Sequence, residues 1–283
     1  MVAKIIDGRK IAEKIRKNVS VEVQSLKSKY KVTPNIVTIK IGSNPESDLY
    51  LRLRNKACEK VGILSKTLEL PTNVSENEVV KVIKDLNLDK KVHGILIQFP
   101  IPDHLNPGEL IEKINPDKDV EGFTPYNMGR MLIGDEHIVP CTPLAVLKIL
   151  EEEKTRLQGK DVVIVNHSTV VGKPLTALFL NRNATVSVTH IFTKDFKKYT
   201  KEADILVSAT GVPNLIKKEH VKSGAFVVDV GIVATKTGVT GDLDASVKEV
   251  AGKITPVPGG VGPVTVACSL INMITTFRNC MEK

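Results

Sequence analysis

The 283-residue chain has no tryptophan, and only 4% of its residues are aromatic. No basic run carries the interleaved rings on which bases stack, so a nucleic-acid module is disfavoured. Its four cysteines, Cys58, Cys141, Cys268 and Cys280, are widely spaced. No CxxC or Cys/His cluster appears, which argues against a zinc site and a disulfide framework and predicts a reduced, cytoplasmic protein without a metal. No stretch approaches the ~18 consecutive apolar residues of a membrane span. The opening MVAKIIDGRKIAEKI meets charge at Lys4 and has no apolar core of the secretory kind, so no signal sequence is expected. There is no acidic excess either: 40 Lys and Arg face 32 Asp and Glu, for a net charge of +8. Such a surplus fits nucleic acid, an anionic lipid, an acidic small molecule or a solvated lysine-rich surface. Lysines alternate with acids, as in EKIRKNVSVEVQSLKSKYK, and this favours the solvated surface.

What remains is ordinary globular composition, 42% hydrophobic and 25% charged, enough for one large domain or two moderate ones. Residues 8–30 carry Ile11, Ile15, Val19 (or Val21) and Leu26 at helical spacing. IVTIKIGS, SKTLELP and VHGILIQFP are strands, the last apolar enough to be buried on both faces. Helices over SNPESDLYLRLRNKACEKVG and ENEVVKVIKDLN separate them. PIPDHLNPGELIEKINPDKDVEGFTPYN reads as loops around one short helix. A composition break near 137–143 is the expected domain boundary. A second alternation follows: helix TPLAVLKILEEEK, strand DVVIVNHS, helix VGKPLTALFLNRN, and strands ATVSVTHIF, ADILVSATG, GAFVVDVGI and KITPVPGG. The apolar GPVTVACSLINMITTFRN is a terminal helix. The expected class is therefore α/β with mainly parallel sheets, the second half a Rossmann-like nucleotide-binding succession.

Several segments carry candidate chemistry. The turn after DVVIV, Asn166-His167-Ser168-Thr169-Val170-Val171-Gly172, is where a dinucleotide fold meets pyrophosphate, although it is not GxGxxG. The acid that holds the ribose hydroxyls would stand after the next strand, but Thr189-His190-Ile191-Phe192 offers none. Thr255-Pro256-Val257-Pro258-Gly259-Gly260-Val261 forces a rigid loop with exposed backbone. On the helix after Ser47, Tyr50 and Arg54 share a face at i, i+4, whereas Lys56 points elsewhere. Each has a bland alternative: a generic turn, a structural loop, a surface Tyr–Arg contact.

Taken in order, IDGRKIA, the Tyr50 helix, GILIQFPIP, INPDKDVEGFTPYNMGR, PCTP, VVGKPL, ATVSVTH, SATG, VVDVGI, GDLD and TPVPGGVGPVTVA resemble the methylenetetrahydrofolate dehydrogenase/cyclohydrolase family. The resemblance covers nearly the whole chain. It implies a folate-binding α/β domain over 1–139 completed by a C-terminal helix, 264–283, that returns to it. A Rossmann-like NAD(P)-binding domain over 140–263 and a homodimer through the nucleotide domains are also implied. The implied reaction is hydride transfer from methylenetetrahydrofolate to NAD or NADP, followed by hydrolysis of the methenyl product to the formyl form. The implied catalytic residues are Tyr50, Gln98 and position 54. The folate would meet Tyr50, Gln98, Glu121 and the loop Pro258, Gly259, Gly260 and Val261. The dinucleotide would meet Asn166, His167, Ser168, Gly172, Ile191, Gly211 and Ile232.

The departures from the family pattern shape the functional expectation. Arg54 stands where the family has a lysine invoked for activating water, and a guanidinium is a poor general base. Glu121 replaces the folate-binding aspartate of KDVDG. NHS replaces GRS, and Ile191 replaces the serine of CHS, which removes groups used on a 2′-phosphate. Oxidation is expected to persist, hydrolysis to be weak, and the choice between NAD and NADP stays open. A non-catalytic folate- or nucleotide-binding homologue and a two-domain dehydrogenase of another substrate, such as shikimate, are the alternatives. The charge surplus is then mostly solvated surface, with Arg54, Lys56, Lys173 and Lys194 in the ligand segments.

Overall fold

The computed structural model describes residues 2–235 and 238–282. Along the chain run β1 (Lys4–Ile5), α1 (Gly8–Tyr30), β2 (Asn35–Ile41), α2 (Pro45–Val61), β3 (Leu64–Leu70), α3 (Glu76–Leu88), β4 (Gly94–Gln98), α4 (Pro107–Glu112) and α5 (Pro125–Leu132). Then come α6 (Cys141–Glu152), β5 (Asp161–Val165), α7 (Gly172–Leu180), β6 (Thr185–Thr189), α8 (Lys197–Thr200), β7 (Ile205–Ser208), β8 (Phe226–Asp229), β9 (Val233–Thr235), β10 (Gly238–Thr240), β11 (Lys253–Ile254) and α9 (Val261–Met281). The elements form two compact units, one of residues 13–130, 136–141 and 266–283, the other of 1–12, 131–135 and 142–265.

The first unit is built on a three-stranded parallel sheet of order β3-β2-β4. Because side chains alternate across a strand, the sheet sorts its residues by parity. Val37, Ile39 and Ile41 of β2 join Ile95 and Ile97 of β4 in a core that includes Val79 and Ile83 of α3 and Leu110 of α4. Ile36 and Leu96 point the other way, into a core with Val19 and Val23 of α1, Ala57 and Val61 of α2, and Leu270, Met273 and Phe277 of α9. The apolar terminal helix is thus buried in this unit's core. The entry angle of α3 is fixed by a capping box, in which Ser75 and Glu78 satisfy each other's backbone N–H groups.

The second unit carries a six-stranded sheet, order β1-β11-β8-β7-β5-β6, with every pairing parallel. β6 and β7 flank β5 on opposite sides, so the chain reverses its winding direction there. In open α/β sheets the crevice at such a switch point, outside the C-terminal strand ends, is the ligand site. A core of Val163, Val165, Leu206, Val227 and Ile254 with Ile216 and Val247 packs against this sheet.

Four features differ from the sequence expectation. Lys4–Ile5 pairs with Lys253–Ile254 as the sheet's edge, so residues 1–12 belong to the second unit and not to a domain spanning 1–139. A strand of two residues has no periodicity to betray it. Residues 125–127, expected as loop, begin α5, which opens on a proline at the position where a missing N–H costs nothing. β9 and β10 pair antiparallel in a stretch for which no strand was expected. The last ordered strand, β11, spans two residues where a longer one was expected.

Candidate active site

Parity also assembles the catalytic candidates of the first unit. Thr38 of β2 and Gln98 of β4 share the face of Ile36 and Leu96, over which α2 packs. From α2, Arg54 reaches down to them and is only 1% exposed. Its Nη2 donates to Thr38 Oγ1 at 3.0 Å and to Gln98 Oε1 at 3.4 Å. Gln98 is itself oriented, since its Nε2 donates to the carbonyl of Phe99 at 3.0 Å. Nη1 of Arg54 lies 3.8 Å from Glu121 Oε1, an ion pair beyond hydrogen-bond length. The guanidinium sits 5.6 Å from the centre of the Tyr50 ring, one helical turn back. Nε and Nη1 of Arg54 are buried without hydrogen-bond acceptors. Buried donors are normally satisfied, so two idle ones on a guanidinium mark a place prepared for an acceptor.

Glu121 is held from both sides. Asp119, two residues earlier, accepts the N–H groups of Gly122 and Thr124 at 2.9 and 2.8 Å and the Asn127 amide at 3.0 Å. From α9, Asn272 donates to the carbonyls of Val120 and Val139 at 2.9 and 2.8 Å. Burial raises the Glu121 carboxyl above its ordinary range, against the opposing pull of Arg54. Burial raises the Tyr50 phenol as well, and the negative charge of Glu121 adds to this. The Cys141 thiol is pushed up by the same burial and the same carboxylate, so it is not poised as a nucleophile. The cluster therefore combines a fixed cation, an acid that holds its proton to a higher pH than usual, and a neutral phenol. Sequence reasoning missed Thr38. Its signal was a hydroxyl in the apolar run IVTIKI, on the side of the strand that faces α2.

The second unit brings together another set. The Asn166 side chain does the work of a glycine-rich turn. Its Oδ1 accepts the N–H groups of Ser168 and Gly172 at 2.8 and 3.1 Å, and its Nδ2 crosses the switch point to the carbonyl of Ala209 at 2.6 Å. A Cβ at Gly172 would lie 2.1 Å from the Asn166 carbonyl, so α7 can approach the turn only with glycine there. Gly211 follows β7 with φ +69°. Ile232 follows β8 and is 63% exposed. Its Cδ1 would be 3.9 Å from a Cβ at Gly262, which places it beside the loop of Pro258, Gly259, Gly260 and Val261. Within this unit that loop is tied down by Gly8, whose N–H donates to the Gly259 carbonyl at 2.9 Å. Ile191 stands apart, 87% exposed beyond the end of β6.

At the ribose end, His190 occupies the position after β6 where an acid would select NAD. The His167 ring lies 4.6 Å from it, centroid to centroid. The turn at the switch point, the close approach of α7 and the exposed Ile232 fit a dinucleotide. Among the described residues, no group of three or more His, Cys, Asp or Glu is arranged to hold a metal, and no helix is long and apolar enough to cross a membrane.

Comparison with known proteins places this geometry. A family model described as the tetrahydrofolate dehydrogenase/cyclohydrolase catalytic domain matches residues 6–121, and one described as the NAD(P)-binding domain of the same family matches residues 140–281. The chain is 54% identical to the bifunctional protein FolD of Methanosarcina barkeri, over 94% of this chain and 93% of that one. The crystal structure of the FolD methylenetetrahydrofolate dehydrogenase/cyclohydrolase of Campylobacter jejuni aligns with a TM-score of 0.95 at 42% identity, over 98% of this chain and 99% of that one. The Trypanosoma brucei N5,N10-methylenetetrahydrofolate dehydrogenase-cyclohydrolase, solved with NADP and an inhibitor, aligns over 100% of both chains with a TM-score of 0.95 at 36% identity.

Proposed function

The chain belongs to the tetrahydrofolate dehydrogenase/cyclohydrolase family, and from that premise we propose how its own residues divide the work. It oxidises methylenetetrahydrofolate to the methenyl form in folate one-carbon metabolism, with a nicotinamide dinucleotide as partner. A bound nicotinamide supplies the hydride acceptor. The protein's part is to orient two ligands in a water-poor site. Tyr50, Gln98 and Arg54 hold the folate's reacting end, with the idle guanidinium donors of Arg54 as the observation that carries this assignment. Glu121 takes the pterin edge, and Pro258, Gly259, Gly260 and Val261 line the folate. Asn166, His167, Ser168, Gly172, Gly211 and Ile232 hold the dinucleotide, with Ile191 at its outer margin.

Hydrolysis of the methenyl product needs a group that accepts a proton from water. Arg54 cannot be that group, because a guanidinium keeps its proton across the working pH range. The expected enzyme therefore oxidises well and hydrolyses poorly. Separate dehydrogenase and cyclohydrolase rates, each with NAD and NADP, test this. Hydrolysis far above the spontaneous rate and lost in Arg54→Ala would overturn it.

We further propose a homodimer through the nucleotide-binding unit, supported by β6 as the terminal strand of its sheet. A monomer mass in sedimentation at micromolar concentration would count against it. A cytoplasmic location is proposed on the wide spacing of the four cysteines in the sequence, which form no CxxC or Cys/His cluster.

A further inference from the structure

Two carboxylates outside the sites above lie at the heart of the second unit. Asp229 ends β8 and Asp242 follows β10, and both are buried. Asp229 Oδ1 accepts the N–H groups of Gly231 and Asp242 at 3.0 and 3.1 Å, and its Oδ2 accepts that of Leu243 at 3.1 Å. Asp242 Oδ2 accepts the Ser208 hydroxyl and the Thr210 N–H, both at 2.7 Å. The packing is reciprocal. A Cβ at Gly231 would lie 2.0 Å from Asp242 Oδ1, and one at Gly241 would lie 2.0 Å from Asp229 Oδ2. The pair thus ties three segments together: the end of β7, the end of β8, and the return from the β9–β10 hairpin.

The tie leads to the crevice. Thr210 sits between Ala209, which Asn166 grips across the switch point, and Gly211. Gly231 precedes Ile232. One hydrogen-bonded path therefore runs from the turn after β5 to the exposed residue after β8. It is a costly arrangement for a merely structural joint, because it buries two acids together and leaves Asp242 Oδ1 without a partner.

We propose that Asp229 and Asp242 are a positioning pair for the dinucleotide, holding the loops after β7 and β8 at the spacing that cofactor binding needs. This rests on the placement of the cofactor at Asn166, Gly211 and Ile232. Neither acid touches the cofactor in this account.

The pair also has a proton lever. Burial, with Asp242 adding to it against three N–H bonds, brings the Asp229 carboxyl up to about 6. The titratable group facing it is Asp242. Ser208 from β7 and Thr255, which follows β11, are hydroxyls, and they stay neutral. Protonated Asp229 loses an acceptor for one of its N–H groups, so the loops loosen as the pH falls below about 6. Folding stability moves the opposite way. The native carboxyl titrates above its unfolded value of 3.8, so Asp229's contribution to stability falls as pH rises from about 4 to about 6 and is level above.

The test uses the full chain and NAD, which has no 2′-phosphate to titrate. Kd is measured by calorimetry from pH 5.5 to 8, alongside the unfolding free energy. Loss of one net hydrogen bond, with about three quarters of the Asp229 carboxyls protonated at pH 5.5, predicts a wild-type Kd about two- to threefold weaker there than at 7.5. Asp229→Asn is expected to bind about 5- to 10-fold more weakly than wild type at pH 7.5, with a flat pH profile. Asp242→Asn keeps a carbonyl for Ser208 and Thr210 but removes the facing charge. It is expected to weaken binding at pH 7.5 about threefold and to move the decline to lower pH. Wild-type affinity and pH profile in Asp229→Asn would overturn the proposal. So would affinity and stability falling together with pH in the wild type, a result available even if a variant fails to fold. If the wild type binds neither NAD nor NADP, the cofactor placement itself falls, and this proposal with it.

Discussion

The folate-side cluster and the dinucleotide crevice do their work with different materials. The first is made of side-chain charge: a buried guanidinium and a phenol on α2 and a carboxyl on the loop at Glu121, with Arg54 and Glu121 3.8 Å apart. The second is made of backbone and small polar groups, in which one asparagine, two glycines and a pair of buried acids set the loop geometry. Substitution therefore means different things in the two places. In the cluster, Arg54 and Glu121 keep the charge signs of the family pattern while both change shape, so under the proposed function binding is preserved and proton transfer weakened. In the crevice, His167 and His190 stand where the proposal puts the ribose, and they leave the turn itself intact.

The largest expected effect is at the cluster. Arg54→Ala removes the cation that links Thr38, Gln98 and Glu121, and should cost about 10²- to 10³-fold in dehydrogenase kcat/KM. A loss under tenfold would mean that the cluster is not where substrate is oriented. Next is Arg54→Lys, which restores a side chain able to give up its proton when desolvated. It should raise cyclohydrolase turnover about tenfold or more and leave the oxidation rate within about threefold. Unchanged hydrolysis would show that proton transfer in this chain does not depend on position 54. The smallest is at the crevice. His167→Arg adds one charge-assisted contact for a 2′-phosphate, and should move the NADP/NAD ratio of kcat/KM towards NADP about tenfold. A ratio that does not move would place the ribose away from His167.

Much of this architecture was legible in the sequence, for identifiable reasons. Helix α1 was readable to its ends because Ile11, Ile15, Val19 and Leu26 keep one face over its whole length. β4 was readable because GILIQ is buried on both faces, so its hydrophobicity is unbroken. Tyr50 and Arg54 could be paired because i, i+4 spacing fixes their common side. What escaped was whatever depends on partners distant in sequence. Lys4–Ile5 is a strand only because Lys253–Ile254 lies beside it. Thr38 matters only because α2 lowers Arg54 onto that face of the sheet. Asp229 and Asp242 are unremarkable in VVDVGI and GDLD until the fold turns the first carboxylate onto the N–H groups of Gly231 and Asp242 and the second onto Ser208 and Thr210. The grouping of residues 1–12 with the second unit escaped for the same reason.

That edge strand also bears on how the protein is made. Lys4–Ile5 leaves the ribosome long before its partner Lys253–Ile254 exists, and the core around Val19 and Ile36 waits for Leu270 and Phe277. Each unit is closed by a segment distant along the chain. A split of the coding sequence near residue 140 would leave both halves unfinished, so neither is expected to be a stable product when made alone. Mixing the two separately expressed pieces should recover a folded protein if the missing segments find their places in trans. The order of synthesis thus makes this chain a poor candidate for dissection and a good one for complementation.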